Sequence, residues 1–135
     1  MGLAERRAVK EFEDKVFPER KKQVDAVEGF SVLIDGKWDT LAVQGYSHLY
    51  KEAFPKVYFT PLVNALKTVC VDEMGKESLK AGLKKVVIAN TKGNYYGSGF
   101  TFEGGILNLN HEPCSNIDNI DERSQANQEM LEKRL

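Results

Sequence analysis

The sequence predicts an α+β fold with helices packed on an antiparallel sheet, and three observations carry that prediction. Phe100 and Phe102 alternate with Thr101 and Glu103, Leu107 and Leu109 alternate with Asn108 and Asn110, and Gly104-Gly105 lies between the two runs. A period of two around a pair of glycines marks a β-hairpin with one dry face and one wet face. Long stretches elsewhere, over 3–27 and 46–71, instead repeat their apolar residues at helical spacing. Two short β-branched runs, 30–34 and 86–89, supply further strands. The predicted architecture is one domain over 1–135, its sheet made of an N-terminal hairpin and a C-terminal three-strand meander.

Each element has its own reason. In 3–27, Leu3, Val9, Phe12 and Val16 form an apolar stripe that Val24 and Val27 continue. Pro18 suits the first turn of a second helix, and Gly29 ends the helical region. The run at 30–34 leads to Asp35-Gly36, a hairpin turn signal, with 38–43 as the return strand. Residues 46–71 divide into a short helix over 46–54 and a main one over 58–71, with Pro55 and Pro61 as boundaries or kinks. Residues 76–84 turn Leu79 and Leu83 inward and Lys76, Lys80 and Lys84 outward. After the strand at 86–89 and the hairpin, a last helix runs to Leu135. Asp118 or Asn119 caps it, and Ile120, Ala126 or Asn127, Met130 or Leu131, and Leu135 form its inward face.

Composition bounds the function classes. The chain of 135 residues is 41% hydrophobic and 29% charged, with a net charge of −1. That balance fits a globular protein and not a nucleic-acid binder, whose affinity comes largely from neutralised phosphates. No apolar run approaches the ~18–20 residues of a membrane span, and the early charges Glu5, Arg6 and Arg7 leave no secretory core. With two sequence-unrelated cysteines, Cys70 and Cys114, the expectation is two free thiols and a cytoplasmic location. Charge is uneven along the chain: residues 56–102 sum to +4 and residues 103–135 to −4. These segments can pair within the fold or between two copies.

Several clusters could carry chemistry. Tyr46, Tyr50, Phe54 and Tyr58 recur every four residues, with Trp38 upstream. Such a ladder is either a core seam or the wall of a groove that offers apolar rings with polar tips. His48 lies inside it and could act as a general base. By strand parity His111 shares the face of Leu107 and Leu109, and His111 and Cys114 could supply two metal ligands. A closed Cys/His zinc site would need both histidines and both cysteines of the chain, so no metal is expected, and no cofactor either. Residues 116–122 lack the ligand spacing of a calcium loop and read as a helix start. Tyr95 and Tyr96, in the glycine-rich loop 93–99, could stack on a ligand, and Lys80 and Lys84 could meet an acidic partner.

No catalytic residue is assigned from this pattern. The leading expectation is a small non-enzymatic cytosolic interaction or adaptor protein, with a protein partner or a second copy of itself, and without nucleic acid or membrane. Its candidate contact residues are Trp38, Tyr46, His48, Tyr50, Tyr58, Tyr95, Tyr96, Lys80, Lys84 and His111. The alternative is a small-molecule binder or small enzyme with a tyrosine-lined cleft and His48 or His111 as acid/base.

Overall fold

The computed structural model describes residues 2–95 and 99–135. Along the chain run α1 (Leu3–Glu11), α2 (Phe17–Glu28), β1 (Leu33–Gly36), α3 (Tyr50–Phe54), α4 (Thr60–Val69), α5 (Glu73–Gly82), β2 (Lys85–Ala89), β3 (Thr101–Glu103), β4 (Ile106–Asn110) and α6 (Ile120–Arg134). The α+β composition agrees with the sequence, but the sheet is not antiparallel. Its strand order is β1-β2-β4-β3, with β1–β2 and β2–β4 parallel and only β3–β4 antiparallel.

The glycine hairpin forms where the alternation places it. Gly104 and Gly105 take φ of 59° and 80°, the left-handed conformations that a tight two-residue turn requires. The other strands pair differently from expectation. β2 holds the apolar run Val86-Val87-Ile88-Ala89, which suits a central strand paired on both sides. It lies between β1 and β4 and is not the first strand of a meander.

The expected N-terminal hairpin is absent. Trp38–Leu41 form a 3₁₀ turn, not a return strand. Gly36 is not among the positive-φ glycines, so Asp35-Gly36 makes no hairpin turn. Its glycine serves a close approach instead: a Cβ at Gly36 would lie 2.2 Å from the Trp38 ring. That ring packs on Phe12 and Phe17 at centroid distances of 5.7 and 4.9 Å, drawing the chain back over the helices. The Lys37 amide then extends the parallel ladder by donating to the Ile88 carbonyl at 2.8 Å.

The prolines bend the helical segments without breaking them. π-helical turns at Phe12–Val16 and Pro55–Phe59 each end two residues before a proline, Pro18 and Pro61. The wider turn makes room for a ring that would otherwise clash with the carbonyl of the preceding turn. Helix then resumes as α2 and α4. α5 starts at Glu73, where the Asp72 side chain accepts from the Gly75 amide at 2.8 Å. At α6, Asn119 holds the N-cap position but its side chain makes no capping bond.

One core joins helices and sheet. The inner face of the sheet supplies Ile34, Val86, Leu107 and Phe102 in one row and Ile88 and Leu109 in the next. Val9, Phe12, Val24, Phe54, Leu62, Leu66, Leu79 and Leu131 from the helical side complete it. Burying each such side chain is worth roughly 1.5–3 kcal/mol, which makes this face the principal source of stability.

Candidate functional site

Strand alternation leaves the other face of the sheet to the outside. Leu33, Lys85, Ile106 and Glu103 align across the four strands, and Asp35, Val87, Asn108 and Thr101 align in the next row. None of these side chains belongs to the core or packs against it, and Leu33 is 60% exposed. The face has an apolar trio: Leu33 and half-buried Ile106 on either side of Lys85 in the first row, and half-buried Val87 in the second. Around it Asp35 accepts ion pairs from Lys37 at 2.8 Å and Lys85 at 3.4 Å. These lysines, Lys37 foremost, hold the Asp35 carboxyl below its usual range. Parallel strands normally have both faces covered, so a three-strand parallel unit with one bare face is an incomplete layer.

A second cluster closes the far end of the sheet. His111 extends β4 by one residue, its amide donating to the Ala89 carbonyl at 3.0 Å. Its ring is fully buried beside Phe100, with Nδ1 2.5 Å from the Glu112 carbonyl. Burial holds the imidazole below its ordinary pKa, so it is neutral at pH 7. Tyr58, also buried, donates its hydroxyl to the His111 carbonyl at 2.5 Å. Desolvation pushes that phenol well above its usual value.

Arg123 anchors the same end. Its guanidinium donates to the carbonyls of Asn116 at 2.6 Å, Ile117 at 2.8 Å and Lys56 at 3.2 Å. The Lys56 carbonyl is available for a reason written in the sequence. In the π-turn the Thr60 amide bonds to Pro55, and Pro61 has no N–H to offer. The helix thus leaves one carbonyl without an internal donor, and a buried arginine supplies the bond. Its grip on Asn116 holds the one non-glycine residue of positive φ (53°) among the described residues. Three buried polar atoms of this cluster have no protein partner: His111 Nε2, Glu112 Oε2 and Arg123 Nε. Cys114 lies beside them with its thiol pushed up to about 12, by burial first and by Glu112 second. It is therefore a poor nucleophile at neutral pH.

The predicted contact residues do not gather in one place. Tyr50 and Tyr58 are core, and the Tyr50 hydroxyl is used by the Val43 amide and carbonyl at 2.7 and 2.8 Å. The ladder is thus a seam: Tyr50 stacks on Phe54 at 4.7 Å, and Phe54 meets Tyr58 edge-on. Trp38 is half-buried against α1 and α2, whereas Tyr46, His48 and Tyr95 are exposed. Tyr96 lies outside the described residues. Lys80 and Lys84 are exposed on the helical side. A cleft lined jointly by Tyr46, Tyr50 and Tyr95 is not assembled, because Tyr50 is enclosed.

Sequence reasoning misses Leu33, Val87 and Ile106 because their role depends on parallel pairing. Arg123 carried a usable signal: it stands in phase with Asn127, Leu131 and Leu135 at four-residue spacing. Cys70 and Cys114 are both free. Among the described residues, no three His, Cys, Asp or Glu are grouped to hold a metal ion, and no helix is long and apolar enough to cross a membrane. No protein-family model matches the chain, and neither does any curated protein or solved structure.

Proposed function

We propose that this is a non-enzymatic interaction protein whose protein partner covers the open face of the sheet. The observation that supports this reading is the bare face of a mainly parallel sheet, with Leu33, Val87 and Ile106 outside the core. The same face carries both signs of charge, through Asp35 and Glu103 against Lys37 and Lys85. Apolar side chains interleaved with both signs of charge suit a protein surface and not a phosphate backbone. The free thiols favour the cytoplasm as the place of action.

Isolating the protein from its own cells with its complexes intact tests the reading. The wild-type chain is expected to come away with a second polypeptide. A Leu33→Glu, Val87→Thr double variant is expected to come away alone with its melting temperature little changed, since Leu33 is exposed opposite Lys85 and threonine keeps the β-branched shape of Val87. A variant that retains the partner, or a wild-type chain that has none, overturns the proposal.

A further inference from the structure

A second surface points to a different contact, independent of the open sheet. The turn between α4 and α5 presents Val71 and Met74, which are 81% and 77% exposed. This exposure belongs to a built turn. The Cys70 amide closes α4 on the Leu66 carbonyl, Asp72 caps α5, and a Cβ at Gly75 would lie 1.7 Å from the Val69 carbonyl. Only glycine allows that approach, so the turn is held tightly with its two apolar side chains outward. Val71 and Met74 border a cup of about 310 Å³ whose wall includes Val69 and Leu135. Asp72 and Glu132 stand on the rim, and no cation lies within ion-pair distance of either among the described residues.

The complement is on the same chain. The outward stripe of α1 is Leu3, Arg6, Arg7 and Lys10, spaced three, one and three residues apart on a single helical face. Leu3 is 49% exposed, and neither Arg6 nor Arg7 has an acidic partner among the described residues. α1 itself packs on the turns at Trp38–Leu41 and Ser47–Leu49, so its stripe is presented outward. An apolar knob followed by two cations matches an apolar cup rimmed by two carboxylates.

We propose that the α4–α5 cup is the docking site for α1 of a second copy of this chain, with Leu3 seated against Val71 and Met74 and the two arginines facing Asp72 and Glu132. Donor and acceptor are different surfaces, so the contact is head-to-tail and propagates into rings or chains. Apolar burial provides the attraction, and the charges set direction and make assembly salt-sensitive.

Sedimentation of the full chain across the micromolar range, with and without added salt, tests this. The wild type is expected to assemble with concentration and to dissociate in salt. A Val71→Ser, Met74→Ser variant is expected to bind itself at least about tenfold more weakly at an unchanged melting temperature. An Asp72→Asn, Glu132→Lys variant, in which asparagine keeps the cap of α5, and an Arg6→Glu, Arg7→Glu variant should each lose assembly, and combining these four substitutions in one chain should restore it. A wild type that stays single throughout, an assembly unaffected by Val71→Ser and Met74→Ser, or one lost on Leu33→Glu, Val87→Thr in place of the cup variants overturns the proposal. Failure of the open-face reading leaves these outcomes untouched, because Val87 lies on the sheet and Val71 on the helical layer.

Discussion

The two faces of the sheet differ in content and in fate: the inner rows are wholly apolar, and the outer ones mix three apolar residues with charged and polar ones. Ile34, Val86, Ile88 and Leu107 are buried under helices, while Leu33, Val87 and Ile106, one residue away on the same strands, lie outside the core. Alternation explains why neighbours diverge, and the placement of the helices explains which set is covered. The inner face accounts for stability, so what the outer face retains of apolar character is free for contact. The expected consequences run from large effects on the closed side to small ones on the open side.

Truncating the closed face should cost most. Leu107→Ala is expected to destabilise the protein by about 2–5 kcal/mol in denaturant unfolding, since the side chain is fully buried and its removal leaves a cavity in the core. Arg123→Met should follow at about 2–3 kcal/mol, because three carbonyls lose a charged donor and the backbone at Asn116 loses its clamp. A small effect at either position would mean that the closed side does not hold the fold.

Two buried titratable groups give the closed side a pH signature. Glu28, 4% exposed with both oxygens unpartnered, has its carboxyl pushed up to about 8 by burial and by nearby Asp25. The folded state therefore holds this proton more tightly than the unfolded one. The resulting stability is full below the ordinary carboxylate pKa and is lost as pH rises through about 8. Glu28→Gln should remove that slope and exceed the wild type at pH 9 by about 1–3 kcal/mol. His111 acts in the opposite direction. Its imidazole is held below the usual value, so stability is lost as pH falls through the unfolded histidine pKa, about 6.5. Thermal melts from pH 5 to 9, at about one-unit steps, should fall most steeply between about 6.5 and 8, where the Glu28 loss is no longer opposed by His111, and Glu28→Gln should remove that fall.

The open face should register least. Val87→Ser, at a half-buried position of the central strand, is expected to cost about 1 kcal/mol. A loss comparable to that of Leu107→Ala would mean that the outer face is a second core and would erase the contrast.

Local chemistry decided which parts of this arrangement are legible in the sequence. The β3–β4 hairpin is readable because Gly104 and Gly105 hold the left-handed conformations their turn needs. The same logic fails at Asp35-Gly36, where the glycine accommodates the Trp38 ring and makes no turn. Parallel pairing joins β1, β2 and β4 over long sequence separations, so no local pattern announces it. The tyrosine ladder was open to two readings, and the hydroxyl bonds of Tyr50 and Tyr58 make it an interior seam. Arg123 answers a vacancy created by Pro61 on another helix, a dependence visible only once α4 and α6 lie side by side.

The most direct test places a photoreactive side chain at Val87 on the open face and, in a second variant, at exposed Lys22 on α2, and crosslinks both in the native cell. The expected result is a polypeptide adduct from position 87 and none from position 22. No adduct at 87, or equal adducts at both positions, would contradict a docking role for the open face.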